Sequence, residues 1–166
     1  IILVFSIGVV VFLGLSLYAY SNLKYYSVYY AQQMPHKEGT EPDLVMLLEN
    51  MGSIYTPKIE GIRYDDDGRN FIENSTNLTG KPTNFSEFDG GYGYSDKNDV
   101  SYKFDKNFEL EWAIDKDYKK INLATVDEKK IKEEIRETVQ PVLDVQSKPL
   151  INLQWLFNMK YQDRFN

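Results

Sequence analysis

The residue types that most often carry chemistry are scarce in this chain and badly placed. There is a single histidine, His36, and no cysteine. His36 follows Pro35 in a short polar stretch, so a Ser-His-Asp relay or a histidine metal site would have to be built in a poorly packed segment. The missing cysteines exclude a disulfide framework, a thiolate zinc site and a lipidated lipoprotein anchor, and leave the redox compartment open. Carboxylates are plentiful, and Glu109 and Glu111 would share one side of a strand, as an acid–base pair requires. They alternate with Phe108, Leu110 and Trp112, however, so aromatics facing the core put these glutamates in water. Asp65-Asp66-Asp67-Gly68 invites a calcium reading. Aligned on Gly68, an EF-hand loop would have its first ligand at Arg63 and its bidentate glutamate at Asn74, and the motif fails at both ends. A hairpin turn explains it better. The N-x-S/T triplets at Asn74, Asn77 and Asn84 lie in an Asn- and Ser-rich stretch and serve as a loop signature. We therefore expect no catalytic residue, no metal and no cofactor.

Charge gives a stronger signal. The chain has 25 acidic and 19 basic residues, a formal net charge of −6. The basic residue Lys24 stands apart near the apolar N-terminus, so the chain from Lys37 onward carries 25 acids against 18 bases. Such a domain is repelled by nucleic acid and by anionic headgroups. The excess is uneven: Glu38 to Tyr118 carries net −10, whereas Lys119 to Asn166 carries +2. The bland explanation is a solvated face; the functional one is an acidic surface that attracts a basic partner. The acids of the middle region are the candidates for it: Asp65, Asp66, Asp67, Glu73, Glu87, Asp89, Asp96, Asp99, Glu109 and Glu111.

The elements that must position these groups begin with the N-terminus. From Ile1 to Tyr20 no residue is charged, and about 20 residues at 1.5 Å rise match a hydrocarbon core of roughly 30 Å. The run passes into Tyr18, Tyr20, Lys24, Tyr25, Tyr26, Tyr29 and Tyr30, an aromatic belt rather than the small-residue cleavage site of a signal peptide. Opening on Ile1 rather than Met, the chain is expected to have further residues ahead of it. We read residues 1–23 as a transmembrane anchor, 24–42 as a juxtamembrane linker with Pro35, Gly39 and Pro42, and 43–166 as one extracytoplasmic α+β domain. Asp43 is the expected N-cap of a short helix closed by Gly52. Ile54 to Tyr64 reads as one or two strands, Asp66-Asp67-Gly68 as a turn, and Phe71-Ile72 as the return strand. Asn74 to Gly93 reads as a long loop or irregular edge. Val100, Tyr102 and Phe104 alternate, Asp105-Lys106-Asn107 turns, and Phe108, Leu110, Trp112 and Ile114 alternate on the way back. After a turn at Asp115 to Lys119, Ile121 and Leu123 suggest one more strand. Thr125-Val126-Asp127-Glu128 fits a capping box, so a helix should run from Val126 to near Pro141 with Ile131, Ile135 and Val139 on its apolar stripe. Leu150 to Phe165 should form a last helix, with a strand over its first half as the alternative. The expected fold is an N-terminal transmembrane helix followed by a curved antiparallel sheet packed against one or two helices.

The C-terminal run Val139-Gln140-Pro141-Val142-Leu143-Asp144, then Pro149-Leu150-Ile151-Asn152-Leu153-Gln154-Trp155-Leu156-Phe157, resembles the TipC family of streptococcal immunity proteins. Asp105-Lys106-Asn107-Phe108-Glu109-Leu110 with Trp112 resembles that family's central hairpin. The resemblance covers most of the exposed domain and carries no catalytic signature. It implies a protein on the outer face of the membrane of a Gram-positive bacterium, where it binds a cognate toxin through an acidic concave surface. That toxin would be exported by the type VII secretion system and attack the cell-wall precursor lipid II. No binding motif matches residue by residue, so the acids named above remain the candidates. Two other classes compete. One is a pseudopilin-like subunit, which would need a glutamate where Phe5 stands. The other is an extracellular glycan- or protein-binding module or sensor that uses the tyrosines as a contact surface.

Overall fold

The computed structural model describes residues 2–65, 70–76 and 80–166, with side chains from Ser6 onward. Helix α1, Ile2–Tyr25, is apolar on every side. Its stretch Ser6–Tyr25 is long and apolar enough to cross a membrane. Val10, Phe12, Leu15 and Leu17 all point away from the protein, whereas a core helix of a soluble domain would bury them.

The chain does not become a linker after α1. Helix α2, Ser27–Gln33, buries Val28, Tyr30 and Ala31, and Met34 follows them into the core. The segment read as juxtamembrane therefore belongs to the packing of the domain. Helix α3, Pro42–Glu49, starts with proline at its first turn, and the preceding Glu41 is left-handed at φ 44°. Asp43 is thus not the N-cap expected from the sequence. It points inward, where Arg136 donates to both of its oxygens at 2.7 and 2.9 Å and to Glu41 at 2.6 Å. Leu44 to Leu48 are all buried, so α3 runs through the core rather than along it.

Six antiparallel strands follow in sequence order: β1 Ile62–Asp65, β2 Phe71–Asn74, β3 Thr83–Phe88, β4 Gly91–Ser95, β5 Ser101–Phe104 and β6 Leu110–Ile114. Two of them, β3 and the start of β4, occupy the stretch read as a loop; Asn84 and Ser86 sit on the outer side of strands whose inner side carries Phe85, Tyr92 and Tyr94. The turn expected at Asp66-Asp67-Gly68 and the Asn77 triplet lie outside the described residues. Register assigns the faces. Tyr64, Ile72, Phe85, Tyr94, Tyr102 and Ala113 form one cross-sheet row, and this row packs toward the helices. Asp65, Phe71, Ser86, Gly93, Lys103 and Trp112 form a row on the opposite face. Trp112 is therefore not a core residue. A bulge between Lys103 and Phe104 in the β5–β6 register makes Phe104 pair with Leu110 and Lys103 with Trp112, so Glu111 is the extra residue. Phe108 stays buried in the turn, and Ala113 takes the inner place downstream of the bulge.

The turns share one construction. Asp96, Asp105 and Asp115 each accept, through Oδ1, the amides two and four residues on, at 2.8–2.9 Å. In each case the fourth residue, Asp99, Phe108 or Tyr118, is left-handed, with φ 62°, 66° and 60°. These are Asx turns, in which the aspartate side chain replaces a strand's hydrogen bonds at the tip. Beyond the last of them the expected strand is only a bridge from Ile114 to Lys120, followed by a tight 3₁₀ turn at Leu123–Thr125.

Helix α4, Glu128–Leu143, is capped by Asp127, whose carboxylate accepts from the Lys130 amide at 3.1 Å. Thr125 is not the cap; its hydroxyl donates to the Asn122 carbonyl in the preceding turn. Nor does Pro141 end the helix, which continues one further half-turn so that Val142 and Leu143 reach the core. Ile131, Ile135 and Val139 are buried as their spacing predicts, each worth about 1.5–3 kcal/mol of apolar transfer. Helix α5, Gln154–Tyr161, is shorter than expected, and a 3₁₀ turn at Gln162–Arg164 brings Phe165 into the core.

The pair between α4 and the start of α3 yields a stability prediction. R136A should destabilise the domain by about 3 kcal/mol, because Asp43 would remain buried without its partner. D43A/R136M should cost less than R136A alone in chemical denaturation, and equal or additive losses would refute this account.

Candidate functional site

The antiparallel meander sends alternate hairpins to opposite ends of the sheet. The β1–β2, β3–β4 and β5–β6 connections share one end, and the β4–β5 turn lies at the other. This sorts the candidate acids. Asp65, Glu87, Asp89, Glu109 and Glu111 belong to the first end, whereas Asp96 and Asp99 belong to the second. Asp66 and Asp67 lie outside the described residues. Glu73 sits on the outer face opposite Arg63, to which it is paired at 3.2 Å.

Their local duties differ. Asp96 is buried and occupied in its turn, and Asp99 pairs with Lys81. Glu111, the bulge residue, pairs at 3.2 Å with Lys103, a buried amine that also donates to the Phe104 carbonyl at 2.8 Å. Gly91 makes room for that lysine: a Cβ there would strike the Phe104 carbonyl and the Lys103 Nζ. Glu109 is exposed beside the β5–β6 tip. Asp89 and Gly90 form the β3–β4 tip, both left-handed at φ 44° and 72°.

At this end lies a cleft of about 470 Å³ lined by Glu49, Glu87, Phe88, Asp89, Tyr92 and Lys106, among others. Glu49, the last residue of α3, was not legible as part of any site. An acid at a helix C-terminus opposes the macrodipole, which was the one available signal. Its compensation comes from the far end of the chain: Arg164 donates to both Glu49 oxygens at 2.7 and 2.8 Å, and Tyr92 donates to Glu49 at 2.7 Å. Burial pushes the Glu49 carboxyl up, but Arg164 and Tyr92 outweigh it and hold it below its ordinary value. Burial, then the charge of Glu49, pushes the Glu87 carboxyl above the ordinary range, with Asn70 partly offsetting both. With Glu49 already held by Arg164, the cleft presents Glu87 and Asp89 beside Lys106, a mildly acidic rim that a cationic side chain can approach.

Beside it, on the outer face, Phe88 rests over Gly93 and meets Trp112 edge-to-face at 6.3 Å. Half-buried aromatics bordered by Ser86 and exposed acids are the composition of a protein-binding patch. His36 is exposed, and its hydrogen bonds among the described residues are to the neighbouring Lys37 carbonyl and Thr40 hydroxyl. Among the described residues no cluster of His, Cys, Asp or Glu is placed to hold a metal ion. No family model, no curated protein and no solved structure matches this chain.

The opposed shifts of the cleft carboxylates give a pH prediction. For Glu87 the folded state holds the proton more tightly than the unfolded chain, so its stability contribution is present at low pH and lost as pH rises through the folded pKa. E87Q, which keeps an acceptor for Asn70, should therefore raise Tm near pH 7 and lose that advantage toward about pH 4. Glu49 has the opposite sign: its contribution is present above its unfolded value and lost as pH falls through the folded one. E49Q should lower Tm at neutral pH. Thermal melts of both variants across this range check the pair of signs.

Proposed function

We propose that this chain is a membrane-anchored immunity protein that binds and neutralises a basic secreted antibacterial toxin by stoichiometric occlusion. The observation that carries the reading is the convergence of acids at one end of the sheet. Glu87 and Asp89 line one cleft with Glu49 beside the Phe88–Trp112 pair, and strand order puts Asp65, Glu109 and Glu111 at the same end of the sheet. The TipC-like sequence pattern supports the same reading, as does an apolar α1 that would hold the domain at the outer membrane face. Tethering raises the local concentration of the domain where such a toxin acts, toward the millimolar range for a short connection. A glycan-binding module is the second reading, favoured by the Phe88–Trp112 pair, whose ring edges could border a sugar.

Purified full-length protein in detergent should inhibit a toxin captured from the secreted proteins of the same strain with saturation near one-to-one. D65K/D89K/E109K should slow association by on the order of 10- to 100-fold at low salt, and the difference should shrink as salt is added. Inhibition far below equimolar, or charge reversal without effect on association, would refute occlusion through this surface. Retention on cell-wall glycan that is lost in W112A would favour the second reading.

A further inference from the structure

We propose that the C-terminal segment Leu150–Lys160 lies in the lipid headgroup layer as a second, peripheral contact with the membrane. This rests on the reading of α1 as a membrane anchor. The segment exposes an unusual amount of apolar surface: Leu150 is 99% exposed, Met159 70%, Trp155 66% and Ile151 56%. Trp155 and Met159 are one helical turn apart on α5 and form an exposed stripe, and Leu150 and Ile151 are exposed in the non-helical chain just ahead of it. Phe157, on the other side of α5, is fully buried and packs on Tyr30. The exposed stripe is therefore the face that the domain itself leaves uncovered.

Position relative to α1 identifies the occupant. The Ile151 carbonyl accepts from Asn22 Nδ2 and from the Tyr30 hydroxyl, both at 3.3 Å, and the Lys160 ammonium lies 5.8 Å from the Tyr20 ring. The segment is thus fixed beside the Tyr20–Asn22 turn of α1, where the helix leaves the span. Tyr20 to Tyr25 rises about 7 Å along the axis, the thickness of one headgroup layer. Charge agrees. From Val145 to Gln162 there is no acidic residue, while Lys148 and Lys160 are present and Lys24 stands nearby on α1. In a chain of net charge −6 this is the stretch that anionic headgroups would attract rather than repel. Tryptophan at such a depth, with lysines beside it, is the interfacial anchoring pattern.

The test uses the full chain reconstituted in vesicles of phosphatidylcholine and phosphatidylglycerol. W112F leaves Trp155 as the sole tryptophan. Its emission should shift to the blue, resist aqueous iodide, and be roughly halved by lipids brominated near the headgroup but less by lipids brominated near the chain end. Emission as red as in the denatured chain, with full iodide access, would overturn the proposal. Protection from iodide without bromolipid quenching would also overturn it, because the stripe would then be covered by protein. F12W in the W112F/W155F background reports the anchor separately. If F12W is quenched by deep bromine and Trp155 is not quenched, only the interfacial contact fails. If neither is quenched, the anchor reading and this proposal fall together.

Discussion

The phenol of Tyr30 is where the N-terminal helix, the helix layer and the C-terminus meet, and their relative placement depends on it. Its hydroxyl donates to Asn22 Oδ1 at 2.7 Å and accepts from the Leu153 amide at 3.0 Å, while its ring packs on Phe157. Its backbone carbonyl accepts from Gln154 at 2.8 Å. A fully buried hydroxyl stripped of these partners would cost on the order of 1–3 kcal/mol, so the segments hold one another in place rather than each folding separately. Because Asn22 still belongs to α1, the domain is not suspended from its apolar helix by a swivel. The sheet and the helix share one rigid junction.

That junction gives the molecule an electrical direction. The acids gathered around the Glu49–Arg164–Tyr92 cleft and the lysine-bearing, acid-free run beside α1 are different parts of one surface. Burial, then the charge of Glu49, pushes the Tyr92 hydroxyl in that cleft well above its ordinary value, so it stays neutral and the acids and Arg164 set the local field. The tie between Arg164 and Glu49 helps to keep the carboxylates of that end folded together despite their mutual repulsion.

Much of the fold was legible in the sequence because its signals were periodic. The apolar N-terminal run, the α4 stripe of Ile131, Ile135 and Val139, and the alternation through Tyr102 and Phe104 all depend on spacing, and spacing survives folding. What was not legible were decisions made between distant residues. Asp43 carries the composition of an N-cap, yet Arg136, 93 positions away, recruits it for an ion pair. Thr125 and Asp127 are both competent caps, and the preceding 3₁₀ turn decides between them by occupying the threonine hydroxyl. One inserted residue, Glu111, reverses the faces of Trp112 and Ala113, and alternation alone cannot reveal an insertion. For the candidate surface, residue type selected the acids, but only strand order separates those that share an end from those that do not. Glu49 and Arg164 needed the tertiary structure to be seen at all.

The three Asx turns divide labour within the chain. In each, the aspartate side chain holds the tip, and the left-handed fourth residue completes it, so the side chains of the residues that follow the aspartates, Lys97, Lys106 and Lys116, take no part in holding the turn. Substitution there changes what the tip presents to solvent while strand pairing stays fixed. A lineage under pressure to recognise a changing partner could rewrite these positions without refolding its sheet, much as a lock can be rekeyed without replacing the door.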